Sequence, residues 1–159
     1  MPRIAAAIGT VVALAAALTA CAAEPDPDPE WTEEAAYAEA EEVFREYWSL
    51  DREEQNDLVT TEMLEANERG RKRIEELGAE VRGDSKIESL EFSGFRIVGT
   101  TAVVELNACI DGSDVEVSID GGDWKQARED TSYGVAAQLE AEGDRMLVAD
   151  LSEPGADAC

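Results

Sequence analysis

The sequence predicts an α+β domain in which two N-terminal helices pack on a curved antiparallel sheet of four to five strands. Apolar residues between Trp31 and Leu77 recur at steps of three and four, the period of an amphipathic helix. From Lys86 onward the apolar period changes to two, and glycine-containing turns separate the runs. Helices followed by consecutive strands favour an α+β fold around one core.

The first 20 residues have the layout of a secretory signal sequence. A positive start at Arg3 precedes an apolar run over 4–17, and small residues then lead into Cys21. The segment Leu18–Cys21 resembles the lipobox of bacterial lipoproteins, which implies cleavage before Cys21 and attachment of a diacylglycerol to its sulfur. An uncleaved membrane anchor, or ordinary cleavage with Cys21 incidental, are the alternatives. We expect the domain to lie on the extracytoplasmic face of the cell membrane.

The rest of the chain divides into a spacer and one domain. Residues 21–30 begin with the predicted lipidated cysteine and then alternate proline with acidic residues, which favours an extended, semi-rigid spacer. Residues 31–159 have the length of a single domain with one core. The predicted organisation is a signal peptide over 1–20, a spacer over 21–30 and an α+β domain over 31–159.

Two helices are predicted in the first half of this domain. The first runs from Trp31 to Leu50, can be capped by Thr32, and carries an apolar, largely aromatic stripe. The second begins at Thr60 or Thr61 and ends near Leu77, although Gly70 in its middle costs about 1 kcal/mol relative to alanine. The basic residues over 69–73 are interpreted as a solvated face that balances neighbouring acids.

Strands are predicted over 87–98, 101–110, 114–119, 133–141 and 145–151. In the first strand the apolar residues fall out of phase unless Ser93-Gly94 forms a bulge. In the second, the even-numbered residues share one face. The Asp-Gly segments at Asp111 and Asp120 are interpreted as turns rather than calcium sites, and residues 124–130 as a loop.

The charge of the chain restricts its partners. Thirteen basic and 37 acidic side chains give a net charge of −24. Nucleic acid is excluded as a ligand, because a binder of DNA or RNA needs a basic surface. Anionic lipid headgroups also repel such a domain, so its association with the membrane is expected to depend on the lipid anchor.

The cysteines predict one disulfide. With Cys21 assigned to the lipid, Cys109 and Cys159 remain as an even pair in an oxidising compartment. The bridge would tie the end of the chain to the middle of the domain. Two free thiols are the alternative.

Side chains that carry common chemistries are scarce. Histidine is absent from the chain, which excludes serine–histidine triads and histidine metal sites. No glycine-rich phosphate loop links a strand to a helix. We therefore predict no cofactor, no metal and no enzymatic activity, with an enzyme that uses carboxylates alone as the remaining catalytic alternative.

The chain also resembles small secreted lipoproteins of actinobacterial type with a cystatin-like cone of the nuclear transport factor two superfamily. The residues that carry the resemblance are Leu18–Cys21, the helix segment Phe44–Trp48, the strand end Ala108–Asp111 and Cys159. The resemblance implies the cone fold. Enzymes of that superfamily commonly use histidine and aspartate inside the cone, so without histidine no catalytic residue is transferred.

Two main functions follow from these features. The first is a non-enzymatic, membrane-anchored module that binds a protein partner at the cell envelope. The second is a binder of a small apolar ligand, with a pocket between the first helix and the sheet. The candidate pocket residues are Phe44, Trp48, Phe92 and Leu106.

Overall fold

A computed structural model of the protein describes residues 31–153 and Cys159. These residues form the helices α1 (Glu33–Ser49) and α2 (Thr61–Glu76), joined through a 3-10 helix, Glu54–Leu58. The strands are β1 (Ala79–Arg82), β2 (Lys86–Val98), β3 (Thr101–Asp111), β4 (Glu116–Ile119), β5 (Lys125–Gln126), β6 (Ser132–Glu142) and β7 (Arg145–Ser152). One antiparallel sheet has the order β2-β3-β6-β7 and a smaller one the order β1-β4-β5. The predicted α+β fold class is confirmed. The predicted signal peptide and spacer lie outside the described residues.

The helix α1 forms where the sequence predicts it. The hydroxyl of Thr32 accepts a hydrogen bond from the backbone N–H of Ala35 at 3.2 Å, and two acidic residues occupy the first turn, where the helix dipole favours them. One face is buried against the four-stranded sheet. Its buried residues are Ala36, Ala40, Val43, Phe44 and Tyr47.

The strand β3 lies in the centre of the larger sheet and supplies its core face. As predicted, its even-numbered residues share one face, and all of them are fully buried: Ala102, Val104, Leu106, Ala108 and Ile110. The pairing of β2 with β3 shifts between Phe92 and Gly94, which confirms the predicted bulge. The bulge restores the phase of the apolar residues, so both halves of β2 contribute side chains to the core.

The smaller sheet differs from the prediction in two places. The loop predicted over 124–130 contains β5, which pairs with β4 through Val117 and Lys125. The side-chain amide of Gln126 holds this strand by donating to the carbonyl oxygens of Gly112 and Ser113, both at 3.0 Å. The strand β1 was not predicted, because four residues after Gly78 are too few to show a period.

The helix α2 lies at the margin of the core. Thr60 caps it, and the backbone N–H of Thr60 donates to the carbonyl of Val148 in β7 at 3.0 Å. Met63 and Leu64 in its first turns pack against the core, but none of its residues is buried. The rest of α2 extends past the sheet toward β1, which it contacts. This position leaves open space beside the end of α1.

Candidate functional site

A groove of about 650 Å3 lies between the C-terminal end of α1, the residues that follow it and the face of the smaller sheet. Trp48 forms one wall, and its indole N–H donates to the hydroxyl of Ser85 at 3.1 Å. This hydrogen bond holds the ring beside the turn that links β1 to β2. The apolar lining of the groove consists of Trp48, Leu50, Ile74, Ala79, Val81 and Val115.

The groove adjoins a recess of about 260 Å3 between the end of α1 and α2. Arg52, Gln55 and Ile74 line both spaces, so the two lie side by side. The remaining lining of the recess is Tyr47, Ala66, Asn67, Gly70 and Arg71. Five of the eight residues that line the recess are therefore polar or charged.

One face of α2 forms a wall of the recess. Ala66, Asn67, Gly70, Arg71 and Ile74 recur at steps of one, three and four, so they share a face of the helix. In a helix that packs on a core, such a face carries large apolar residues. Here four of the five are small or polar, which is why this face of α2 does not close onto α1.

Tyr47 forms the floor of the recess and is 6% exposed. Burial raises the pKa of the Tyr47 phenol above its ordinary value of 10.0, while a hydrogen bond with Asn67 and the charge of Arg52 oppose the shift. The hydroxyl is therefore a neutral hydrogen-bonding group at physiological pH. It links α1 to α2 across the recess.

Two arginines, Arg52 and Arg71, place positively charged side chains in the wall of the recess. The guanidinium of Arg71 donates to the side-chain oxygen of Asn56 at 3.4 Å and to the carbonyl of Arg52 at 3.5 Å, both neutral acceptors. Within residues 31–153, six basic side chains have a carboxylate within 4.0 Å, but Arg52 and Arg71 are not among them. Their charge is not neutralised by direct contact, although the protein as a whole is strongly acidic.

The connection that carries Arg52 is held by one side chain. The amide nitrogen of Gln55 donates to the carbonyl of Tyr47 at 3.0 Å and to that of Leu50 at 3.2 Å. These bonds satisfy carbonyl groups at the C-terminal end of α1, which would otherwise lack partners. They also fix the path of the chain between α1 and the 3-10 helix.

The four candidate pocket residues all belong to the hydrophobic core or pack against it. Phe44 and Leu106 are fully buried in the core, and Trp48 lines the groove. Phe92 is partly buried and stacks on Tyr37 with ring centroids 4.3 Å apart. The groove lies past the end of α1, and its polar residues were not predicted from the sequence. The sequence feature that could have indicated the adjoining recess is Gly70, a glycine next to basic residues within a helix.

The cysteine pair lies on the side of the sheet away from α1. Cys109 is an odd-numbered residue of β3, on the face opposite the core residues. The structure places the sulfur of Cys159 within bonding distance of that of Cys109, with the two Cα atoms 5.3 Å apart. Cys21 lies outside the described residues.

Neither helix in residues 31–153 is long and apolar enough to cross a membrane. The same part of the chain has no cluster of three side chains suited to hold a metal ion.

Asp111 accepts a hydrogen bond from the backbone N–H of Ser113 at 2.8 Å, as expected for a turn, and this bond lowers the pKa of its carboxyl group.

Comparison with known proteins gives little further information. No family model matches the chain, and no curated protein matches it significantly. Among solved structures the chain is similar to the intermembrane space region of the chloroplast protein ARC6, at 12% identity and a TM-score of 0.48. The match covers 79% of this chain and 98% of that one. We draw no functional conclusion from a likeness of this degree.

The buried phenol of Tyr47 should contribute to loss of stability in alkali. Because its pKa is raised on folding, the stabilisation is complete below the ordinary pKa of 10.0 and is lost as the pH rises through the raised value. Denaturant unfolding between about pH 8 and about pH 11 should show a steeper decline for the wild type than for Tyr47→Phe. Identical pH profiles for the two proteins would contradict this assignment.

Proposed function

We propose that the protein is a lipid-anchored, extracytoplasmic interaction module without enzymatic activity. The observation that carries the proposal is the segment Leu18–Cys21, placed between an apolar run and an acidic spacer. The approach of Cys109 to Cys159 supports it, because disulfides persist mainly outside the cytoplasm. In this proposal Cys21 carries the lipid and the pair forms a structural bridge.

The proposed partner is a protein of the cell envelope. Three exposed apolar side chains lie on or beside the smaller sheet: Leu77 is 52%, Val81 45% and Ile119 55% exposed. Val81 pairs with Val117, and Ile119 lies two positions after Val117 on the same strand. Side chains two positions apart on a strand lie on the same face, so Val81 and Ile119 share a face of the smaller sheet. The net charge of −24 favours a partner that surrounds an apolar contact with basic residues.

A second candidate function is the binding of a small ligand in the groove. Its volume of about 650 Å3 is in the range of small-molecule sites, and its walls combine the apolar side chains of Trp48, Leu50 and Val81 with polar ones. The groove differs in position from the pocket predicted between the first helix and the sheet, because the side chains of α1 pack against the larger sheet there.

Replacement of Cys21 tests the anchor. We expect Cys21→Ala to lose incorporation of a labelled fatty acid and to move from the membrane to the soluble fraction, because the domain itself is too acidic to bind anionic lipid. Cys159→Ser is the matched control and should remain in the membrane. A Cys21→Ala protein that stays in the membrane would indicate an uncleaved apolar anchor instead.

The bridge should contribute substantially to stability. Closing a loop with a sequence separation of 50 residues stabilises the folded state by about 4 kcal/mol in the chain-entropy model. We expect Cys159→Ser and the double variant that also carries Cys109→Ser to unfold at similarly lowered denaturant concentrations. Peptide mapping without reductant is the direct check. Alkylation of both cysteines before reduction would show that no bridge forms.

A further inference from the structure

Gly70 has no role in the backbone of α2. Glycine is among the weakest helix formers, yet Gly70 does not adopt a positive φ. Apart from its chain neighbours and the backbone of its own helix, a Cβ atom at this position would meet no atom within 4 Å. Neither a special conformation nor close packing explains the residue. The consequence of the missing side chain is open space in the recess that Gly70 lines.

The groups around this space are suited to an anion. Arg52 and Arg71 supply charge-assisted hydrogen-bond donors, and within the described residues neither is paired with a carboxylate. Guanidinium groups bind carboxylates strongly through their planar donors. The side-chain amide of Asn67 and the hydroxyl of Tyr47 add neutral polar groups to the same wall.

Acidic side chains stand near the entrance but not in the recess. Glu53, Glu68 and Glu75 line a shallower depression on the outer side of Arg71. Asp51 and Asp84 line the groove on the side of the smaller sheet. None of these residues lines the recess. An anion in the recess would therefore meet the arginines first, while a second negative charge further out would be repelled.

We propose that the recess and groove bind a small organic acid with a single negative charge and an apolar body. The acid group lies between Arg52 and Arg71, and the apolar part extends along Trp48, Leu50 and Val81. The recess of about 260 Å3 accommodates the head, and the adjoining groove accommodates the body. The inference rests on the ligand-binding candidate above and is independent of the lipid anchor.

Calorimetric titration with 4-phenylbutanoate tests this site, with 4-phenylbutanol as the uncharged counterpart. The full-length protein is used in nanodiscs of zwitterionic lipid, and empty nanodiscs give the blank. We expect the acid to bind at least about ten-fold more tightly than the alcohol, since only the acid forms charge-assisted hydrogen bonds.

Variants locate the binding. Arg71→Gln and Arg52→Gln should each weaken binding of the acid about ten-fold or more, whereas Arg73→Gln should leave the affinity for the acid unchanged. Arg73 is the matched control, because it lies on α2 with the same charge but does not line the recess. Gly70→Leu, which fills the recess without meeting a neighbour at its Cβ, should also weaken the acid. Circular dichroism verifies that each variant is folded.

Two results would overturn the proposal. The first is the absence of heat from the acid at concentrations up to about 1 mM. The second is acid binding that Arg52→Gln and Arg71→Gln leave unchanged, or that the alcohol matches. Equal affinity for the acid and the alcohol would indicate a site for apolar ligands that does not recognise the negative charge. Neither result alters the membrane fractionation of Cys21→Ala, so the two proposals fail separately.

Discussion

The fold depends on the burial of one face of α1 against the four-stranded sheet. Ala36 and Ala40 are fully buried and small, so the helix approaches the sheet closely, and Phe44 is fully buried in the same core. Burial of a side chain the size of phenylalanine contributes about 1.5–3 kcal/mol. Without this helix, the core face of β3 would be exposed to water. The register of the sheet and the position of the helix thus stabilise each other.

The recess exists because α1 and α2 do not pack closely against each other beyond the end of the core. The core ends near Tyr47, and the apolar attachment of α2 to it lies at Val59, Thr60 and the first turns of the helix. Further along, the face of α2 that lines the recess has small and polar residues where a packed helix would have large apolar ones. A helix attached in this way belongs to the less stable part of a domain, where binding sites commonly occur.

The sequence predicts best those features that depend on residues close together in the chain. The period of α1, its cap at Thr32, the faces of β3 and the bulge near Gly94 each depend on residues close in the chain. The smaller sheet was harder to predict because β5 has two residues and β1 has four, which is too short for a period. The partner strands of β4 therefore could not be identified.

The groove was not predicted because its walls come from distant parts of the sequence. Trp48, Ile74 and Val81 meet only when α2 and the smaller sheet pack beside the end of α1. From the sequence alone, the basic segment over 69–73 is interpreted as a solvated face. In the structure Arg69 pairs with Glu65, as that reading implies, while Arg71 lines the recess.

Hydrogen exchange of the native protein tests most directly the claim that α1 and the larger sheet form the stable unit and α2 an attachment to it. Amides in the middle of α1 and in β3 should exchange slowest, through global unfolding. Amides from Gly70 to Glu76 should exchange faster, through local opening of α2. Equal protection of this segment and α1 would contradict the account, because it would show that α2 is an integral part of the core.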